Sequence, residues 1–565
     1  MSESSEGTMP KPRPPAAPTM SRPLSPPRRV WVSVASLLAA IALVRWGLLE
    51  QVVGSIVDQA VRNIITLILG FAAAMSVLVW FLRESGHAAW LKRALGYGLV
   101  GLVLVAAGLF RIERVSGDLV PELRLRWLPS QDRLLPAVQA EGEVPAGIWE
   151  SRPSDFPRFL GPAGTAGLAG PPLDADWEAR PPRLRWRVPV GAGWSGFAVV
   201  GDAAVTLEQR GEEEVVSCRS IDNGEVIWAV PVRARHQTVL GGTGPRSTPT
   251  IRDGVVYTTG ATGWLHAIDG ASGTVRWKKN ILDDLGIDPE AHAAAVAWGR
   301  AGSPLVTDTL VIVPGGGPLY KPAADGATAV SLAGYDRETG ERRWTAGDEQ
   351  ISFTTPLLTT IAGEEVILAV NESRVVGYDP ADGSERWGFD WPGHSNSDAT
   401  CSQACPIESD RIFISKGYGI GAGLFEVASG AAGGGPAAAW RAVWRKPSLL
   451  KTKFTNVVID EGHAYGLSDG ILECVRLDDG KRMWKRGRYG QGQVLRVGGL
   501  LLVQAEDGEV VLVDCSPEGH VERARLTALD GQTWNNPTLS GNRLLVRNAQ
   551  EAACYELPLA TGVSP

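Results

Sequence analysis

Polar side chains that could bind a ligand recur through the C-terminal two-thirds of the chain, each beside a short apolar segment. Guanidinium, ammonium and carboxamide groups gathered in one pocket suit an anionic ligand, because all of them donate hydrogen bonds to negatively charged oxygen. The alternative is that these groups bond to neighbouring segments and to water. The candidate set is Arg246, Arg300, Asp398, Lys453, Asn456, Gln493, Trp534 and Asn535. Comparable positions also carry His394, Asn396, Arg488, Tyr489 and Asn536.

The six cysteines suggest packing more than chemistry. Cys218, Cys474 and Cys554 alternate with apolar residues, which is typical of small buried side chains. Cys401 and Cys405 lie four positions apart, and a straight strand would hold them about 13 Å from each other, too far for a disulfide. A disulfide across a loop in an oxidising compartment stays an alternative. No His lies at ligand spacing from them, so no metal site is predicted.

No residue is assigned a catalytic role. The chain has no G-x-S-x-G nucleophile motif, no P-loop and no H-E-x-x-H zinc motif. Its formal net charge of −7 argues against a nucleic-acid partner, because phosphate binding relies on clustered Lys and Arg. The sequence therefore favours binding to a small ligand, a protein or a polymer.

The elements that must position the candidate residues are repeats built around an Asp, a Gly and a Trp. In the segment WLHAIDGASGTVRW, Asp269 begins a tight turn, Gly273 takes a positive φ, and Trp277 lies on the next strand. A large ring at that position can pack between neighbouring sheets while its indole N–H finds a backbone acceptor. The predicted docking tryptophans are Trp186, Trp228, Trp277, Trp344, Trp387, Trp444 and Trp484.

A second set of repeats marks the innermost strand of each predicted sheet. The Asp–Gly–Trp repeats recur about every 40–67 residues, the spacing typical of four-stranded propeller blades. Residues 184–190 form an isolated strand, and the last repeat lacks an outer strand of its own. We therefore expect both ends of the region to complete an eighth blade, with seven blades as the alternative. The eight repeats begin at Gly196, Ser247, Gly302, Thr354, Cys405, Thr455, Gln493 and Asn535.

The A-x-D-x-x-x-G-x-x-x-W pattern resembles the tryptophan-docking repeat of quinoprotein alcohol dehydrogenases and of the PQQ-like propellers, which include BamB-like assembly proteins. The stretch DFPRFLGPAGTAGL resembles the opening motif of PQQ-like repeat proteins of planctomycete type, and GDLVPELRLRW resembles their membrane-proximal stalk. The resemblance implies an all-β, eight-bladed, quinoprotein-like propeller over about 410 residues. The family contains both enzymes and binding scaffolds, so the fold does not select the activity.

For an enzyme, the resemblance implies an axial PQQ cofactor with calcium, a base Asp and, in many members, a vicinal cysteine pair. This chain has no Cys–Cys pair and no C-x-x-C-H haem attachment site. The cofactor is therefore unknown, and PQQ with calcium is not favoured.

The N-terminal third predicts a membrane anchor. Residues 1–29 form a basic, Pro-rich tail, predicted to be disordered. Apolar runs follow at about Val30 to Leu49, Ile64 to Leu82 and Leu95 to Phe110; the first two are long enough to span a bilayer and the third is marginal. The basic tail and the basic linker after the second run place the tail in the cytoplasm and, with three spans, the C-terminal region outside it. If the third run does not span, the C-terminal region lies in the cytoplasm instead.

The predicted organisation is a tail at 1–29, about three transmembrane helices at 30–110, a stalk at 111–154 and the propeller at 155–565. The function predicted first is an extracytoplasmic binding or assembly scaffold, anchored in the inner membrane as a multi-pass protein with its propeller in the periplasm. Its partners would be the membrane and a protein or cell-envelope polymer, with no nucleic acid. The alternative is a membrane-bound, PQQ-dependent dehydrogenase.

Overall fold

The computed structural model describes residues 23–46, 59–138, 147–428 and 440–560. Most of the predicted tail, part of the connection between the first two apolar runs and the Gly/Ala-rich insertion at 429–439 lie outside these residues. The chain divides into two compact units. One comprises Met1–Leu48 and Ile64–Leu109, and the other comprises Leu49–Asn63 and Phe110–Pro565.

The three apolar runs form the helices α1 (Arg28–Arg45), α2 (Gln59–Arg83) and α3 (Ala89–Leu109). By length and composition, α2 and α3 could each cross a membrane. Helix α1 is not among these two candidates, because its 18 residues include three arginines. The third run gains length because its helix begins at Ala89.

The predicted stalk begins as a β-hairpin. Strand β1 (Phe110–Val115) pairs antiparallel with β2 (Pro121–Leu125), and a bulge lies between Ile112 and Arg114. A single 3-10 turn, Gln131–Arg133, follows the hairpin. The short β3 (Gly167–Leu168) and the longer β4 (Arg183–Pro189) precede the first blade.

Eight four-stranded antiparallel sheets form the blades, and β3 adds a fifth, parallel strand to blade 7. Blades 1 to 4 comprise β5 Ala198–Val200, β6 Ala203–Arg210, β7 Glu213–Ser220, β8 Val226–Arg233; β11 Thr250–Arg252, β12 Val255–Thr259, β13 Trp264–Asp269, β14 Val275–Asn280; β15 Leu305–Val306, β16 Leu310–Gly316, β17 Val330–Asp336, β18 Arg342–Ala346; and β19 Leu357–Ile361, β20 Glu364–Val370, β21 Arg374–Tyr378, β22 Glu385–Asp390. Between blades 1 and 2, β9 (Gln237–Thr238) pairs with β10 (Gly242–Thr243).

Blades 5 to 8 comprise β23 Cys405–Ile407, β24 Arg411–Lys416, β25 Gly421–Val427, β26 Trp440–Lys446; β27 Val458–Asp460, β28 His463–Ser468, β29 Ile471–Arg476, β30 Lys481–Arg488; β31 Gln493–Val497, β32 Leu500–Gln504, β33 Glu509–Asp514, β34 Glu522–Thr527; and β35 Thr538–Ser540, β36 Arg543–Arg547, β37 Glu551–Glu556 with β4. Two short helices, Ile281–Leu285 and Pro289–Ala295, lie between blades 2 and 3.

The eighth blade is completed from both ends of the propeller region. Strand β4 pairs antiparallel with β37, with Trp186 opposite Cys554. The ring therefore has no unpaired strand at its closure, which removes an edge that other chains could join. The prediction of eight blades is confirmed.

The docking tryptophans join each blade to the next. The Trp228 indole donates to the carbonyl oxygen of Gly270 at 2.7 Å, and Gly273 of that same turn has a φ of 70°. A Cβ on Gly273 would lie 2.8 Å from the Trp228 ring, so the turn glycine provides both the backbone conformation and the space for the indole. The same pairs are Trp186 with Gly224, Trp277 with Gly340, Trp344 with Gly383, and Trp444 with Gly480.

The indole hydrogen bonds follow the prediction at most of the joints. Four further indoles donate to a backbone carbonyl oxygen: Trp186 to Ile221, Trp277 to Arg337, Trp444 to Leu477 and Trp484 to Ser516. The Trp344 Nε1 is buried without an acceptor among the described residues. Trp387 is buried ahead of blade 5, whose repeat departs most from the pattern.

Candidate ligand chamber on the propeller axis

A chamber of about 140 Å³ lies where the innermost strands converge. One water needs roughly 10–15 Å³ on the same measure, so the chamber has room for a ligand group or several waters. Its lining residues are Phe159, Trp194, Leu240, Gly241, Arg246, Trp298, Ala301, Phe353, Ala399, Cys401, Tyr418, Phe454, Asn456, Gln493, Trp534 and Asn536. The wall is thus largely aromatic, with a few polar groups.

Two aromatic groups shape the wall. Trp534 packs against Trp194 at 4.7 Å and against Phe454 at 4.6 Å between ring centroids. On another side, Trp298 meets Phe353 edge to face at 5.7 Å. Contacts of this kind favour particular orientations of the large rings, and so they shape the chamber wall.

The segment that precedes the first blade contributes one wall of the chamber. The Phe156 amide and carbonyl bond to Val199 in blade 1, and the Ile251 amide of blade 2 donates to the Pro157 oxygen at 2.7 Å. Strand β3 then joins β31 of blade 7. The segment therefore crosses the ends of several innermost strands, and its Phe159 side chain reaches the chamber.

Carboxamides supply most of the polar groups in the wall. The Gln493 side chain is 2% exposed, and its Nε2 donates to the carbonyl oxygens of Phe454 and Trp534 at 3.0 Å each. Its Oε1 has no partner among the described residues, and neither does the Oδ1 of Asn536. Buried polar atoms are almost always hydrogen-bonded in folded proteins. These two acceptors therefore favour a ligand, or water, that donates hydrogen bonds.

Arg246 is the single charged side chain among the described lining residues. It donates to backbone carbonyl oxygens of Gly241, Gly242 and Gly244. Burial lowers the pKa of Arg246 to about 9, although the nearby Glu214 carboxylate favours the charged form. At neutral pH the chamber wall therefore carries one positive charge.

Two titratable groups near Arg246 have strongly shifted pKa values. Burial raises the pKa of Glu214 to about 7, although the Ala261 amide and Arg246 act against the shift. Burial also lowers the pKa of His236 to about 3, with further lowering from Arg246 and His292. His236 is therefore neutral at physiological pH.

Four predicted residues meet in the chamber: Arg246, Asn456, Gln493 and Trp534. The Asn456 Oδ1 accepts from the Gln403 amide at 3.0 Å, and the Trp534 indole donates to Glu506 at 3.0 Å. Both side chains therefore stabilise the wall as well as lining it.

The other four predicted residues serve connections between segments and do not line the chamber. Arg300 donates to the carbonyl oxygens of Gly315 and Pro314. Asp398 pairs with Lys416 at 3.3 Å. Carbonyl oxygens in the loops between blades have no strand partner and need other hydrogen-bond donors. Arg300 supplies such donors, and Asp398 has a charged partner instead.

Lys453 and Asn535 likewise bond to the backbone. Lys453 Nζ donates to the Gly117 oxygen in the hairpin turn at 3.3 Å. The Asn535 amide nitrogen donates to the Gly193 and Ser195 oxygens at 3.2 and 2.8 Å, which connects blade 8 to the loop before blade 1.

Apart from Trp534, the aromatic residues of the wall were not predicted as site residues. A usable signal was present in the sequence, because Phe353, Phe454 and Trp534 each directly precede an innermost-strand repeat. Trp194 stands two positions before such a repeat. In the sequence, however, these rings have the pattern of ordinary core residues, whereas charged and polar residues suggest ligand binding directly.

The cysteines are free thiols, and Cys401 contributes to the chamber wall. Burial raises the pKa of Cys401 and of Cys405 to about 12, so both are protonated at neutral pH. Among the described residues, no group of three His, Cys, Asp or Glu side chains is arranged to hold a metal ion.

The repeat resemblance is confirmed by comparison with known proteins. Residues 212–486 match the family described as outer membrane protein assembly factor BamB. A quinohemoprotein alcohol dehydrogenase, ADH-IIG of Pseudomonas putida, is 27% identical over 155 residues, which are 26% of this chain and 19% of that protein. The chain thus spans about a fifth of the length of this curated relative.

Solved structures show the same fold. A europium-containing methanol dehydrogenase is similar with a TM-score of 0.53 and 12% identity, covering 72% of this chain and 99% of that one. BamB from Moraxella catarrhalis aligns with a TM-score of 0.47 and 14% identity, covering 66% of this chain and 100% of that one. At such identities the likeness concerns the propeller fold alone.

Proposed function

We propose that this chain, a PQQ-like propeller with BamB-type repeats, is a membrane-anchored binding scaffold that works outside the cytoplasm. Its axial chamber would hold an apolar side chain or short segment of a protein or envelope polymer. The observation that carries the proposal is the composition of the chamber wall. Aromatic rings, carboxamides and one guanidinium bind a ligand by packing and hydrogen bonding, and the described lining residues include no Asp, Glu or His to transfer protons.

The unpartnered acceptors support a polypeptide or polymer ligand. Gln493 Oε1 and Asn536 Oδ1 each lack a donor among the described residues. Peptide N–H groups and sugar hydroxyls supply donors beside apolar surface, which is the combination that this wall accommodates. Arg246 would add an attraction for one negatively charged group.

The residues present do not fit PQQ with calcium. Calcium requires several oxygen ligands, of which carboxylates are the strongest, and the described lining residues supply no carboxylate. The quinone bears three carboxylates of its own, whereas Arg246 is the single cation in the wall. The dehydrogenase alternative rests on the partial match to the alcohol dehydrogenase, and the chamber chemistry counts against it.

The proposed placement in the membrane rests on α2 and α3. Arg83 ends α2, and Lys92 and Arg93 lie near the start of α3, so basic residues flank the short connection between the two helices. Short connections flanked by basic residues stay in the cytoplasm. With α3 crossing the bilayer, the propeller then lies on the opposite side. This conclusion for the propeller is independent of whether α1 also spans.

Site-specific photo-crosslinking would test the scaffold. A photoreactive amino acid replaces Leu240, a chamber residue that is 40% exposed, in the full chain in its native membranes. We expect one discrete adduct, and we expect Arg246→Gln to weaken it several-fold. The same probe at Val521, 44% exposed on a different loop, should give no such adduct.

Cofactor titration provides the opposing result. Purified full-length protein is mixed with PQQ and calcium, and dye reduction is followed over an alcohol and sugar panel. Stoichiometric PQQ binding with turnover would overturn the scaffold proposal in favour of the dehydrogenase. Absence of binding at high PQQ concentration would remove the dehydrogenase alternative.

A further inference from the structure

The hairpin of β1 and β2 has an inverted distribution of apolar and charged side chains. Ile112 and Leu123 are paired across the strands and are 49% and 60% exposed. Phe110, two positions from Ile112 on the same face, is 37% exposed. A ribbon that rests on a protein in water normally turns its apolar face inward. Here the apolar face is open.

The opposite face of the hairpin carries charges and is turned towards the propeller. Glu113, Arg114, Glu122 and Arg124 line a cavity of about 60 Å³ whose other wall includes Trp194 and Gly242. Arg114 pairs with Glu122 at 2.6 Å. These charged groups have partners on the side that faces the propeller. The apolar face therefore points away from the propeller.

Hydrogen bonds fix the hairpin on the propeller. The Gly117 amide donates to Glu506 at 2.9 Å, and the Gln532 side chain donates to the Val115 oxygen at 3.3 Å. Lys453 donates to the Gly117 oxygen. With its turn held in this way, the hairpin cannot rotate to bury Ile112 and Leu123 without breaking these bonds.

Further apolar residues in the turn of the hairpin and just after β2 are also exposed. Val120 and Leu128 are 53% and 44% exposed, and Trp127 is 61% exposed. Together with Phe110, Ile112 and Leu123 they form what we call the hairpin patch. Exposed apolar patches on a folded protein commonly mark sites that bind another protein, a membrane or a ligand.

The position of the hairpin in the chain favours the membrane. Phe110 directly follows Leu109, the last residue of α3. A helix of 21 residues is about 31 Å long, close to the roughly 30 Å of a bilayer's hydrocarbon core. Lys92 and Arg93, near its start, would extend their charged ends to the cytoplasmic surface. If α3 spans, Phe110 emerges at the membrane surface with no linker residue to carry the hairpin away from it.

We propose that the hairpin patch inserts into the interfacial layer of the lipid bilayer. Trp127 and the neighbouring Arg126 match the aromatic and basic residues that favour this layer. The interface is wet enough to solvate the free strand edges of a two-stranded ribbon, which the hydrocarbon core is not. The inference rests on the membrane anchoring proposed above and adds a second, non-helical lipid contact.

Spin-label accessibility tests this inference in the full chain. The protein is reconstituted in nanodiscs of phosphatidylethanolamine and phosphatidylglycerol, and a nitroxide is attached at Leu123→Cys or, independently, at Trp127→Cys. We expect collisions with oxygen to exceed collisions with a water-soluble nickel chelate several-fold more than at Glu122→Cys. Glu122 is the adjacent residue on the charged face, with a side chain that is 55% exposed, and the unsubstituted chain measures background labelling.

The outcomes separate this inference from the anchoring on which it rests. A label at Leu102→Cys, within α3, reports the anchor itself. If that label prefers oxygen while labels at 123 and 127 behave as in water, the hairpin inference is overturned and the anchor stands. If the labels at 123 and 127 are shielded from both reagents, a protein or a second copy covers the patch, and the lipid assignment is wrong. A water-like label at 102 overturns both.

Discussion

Polar groups at the outer joints between blades and polar groups on the propeller axis differ in how many of them have hydrogen-bond partners. At most of the outer joints, the docking tryptophan donates to a carbonyl oxygen of the next blade, as Trp228 does to Gly270, although the Trp344 Nε1 has no acceptor among the described residues. On the axis, Gln493 and Asn536 present acceptors with no partner among the described residues. A buried acceptor without a hydrogen-bond donor costs stability. Such an acceptor is typical of a functional site, where a ligand supplies the missing donor. The comparison supports the proposal that the joints stabilise the ring and that the axis binds a ligand.

The largest loss of stability is expected at an outer joint. Trp228→Ala removes a ring that is 4% exposed, together with its hydrogen bond to Gly270. A buried Trp→Ala change costs about 3–5 kcal/mol in the free energy of unfolding, measurable by chemical denaturation of the detergent-solubilised chain. Trp264→Ala, at a half-buried Trp that does not occupy a joint, should cost about 1 kcal/mol or less. Equal losses would contradict the special role of the joints.

A glycine pair separates backbone strain from loss of space for the indole. Gly340 and Gly254 have φ values of 70° and 73°, but a Cβ on Gly340 would lie 2.7 Å from the Trp277 ring, whereas one on Gly254 meets nothing within 4 Å. We expect Gly254→Ala to cost about 1 kcal/mol through strain alone and Gly340→Ala about 3 kcal/mol in the same denaturation measurement. If the two costs agree, the turn glycines serve only their backbone conformation.

Two buried carboxyl groups in blade 1 give opposite pH dependences. Burial raises the pKa of Glu214 to about 7 from its ordinary 4.5, so the folded state binds the proton more tightly than the unfolded state. The resulting stabilisation is complete below about pH 4.5 and is lost as pH rises through about 7. From about pH 5 to about pH 7 the free energy of unfolding should fall by about 2 kcal/mol relative to Glu214→Gln.

Glu208 is the control for this measurement. Burial opposes its ionisation, but Arg219, Arg210 and Arg547 outweigh burial and lower its pKa to about 2. Its contribution to stability is therefore present above about pH 4.5 and is lost as pH falls towards 2. Glu208→Gln should leave the slope between pH 5 and pH 7 unchanged, and an altered slope there would refute the assignment to Glu214.

The smallest effect is expected in the chamber wall. Trp534→Phe keeps an aromatic ring against Trp194 and Phe454 but removes the indole bond to Glu506. One hydrogen bond contributes about 1 kcal/mol to stability, so the denaturation midpoint should shift slightly while the crosslink from position 240 persists. Trp440→Phe, at a ring that is 37% exposed, is the matched control and should change neither measurement. Loss of the crosslink in Trp534→Phe alone would show that the indole N–H contributes to binding.

The ring could be predicted from the sequence because its repeats are local and regular. The isolated strand with Trp186 indicated that both ends of the region complete one blade, and β4 pairs with β37 as expected. The role of Gly273 as the seat for Trp228 was not predicted, because that contact joins two blades and a single repeat carries no information about it.

The candidate site was predicted only in part. Arg246 and Gln493 line the chamber, whereas Arg300 and Asn535 bond to backbone oxygens. A polar residue in a loop between blades can either line the chamber or bond to the backbone of a neighbouring blade. The conformation of the loop decides which of the two it does. Residue types alone therefore could not separate the two groups.

Completion of blade 8 also constrains how the propeller folds. Arg187 on β4 donates to Tyr555 on β37, 368 positions later in the sequence. Closing a flexible loop of that length costs about 5 kcal/mol in chain entropy. The cost falls as each intervening blade forms and shortens the free chain between the two strands. Pairing of β4 with β37 is therefore expected late in folding, and it succeeds only when all the preceding blades have brought the two strands together.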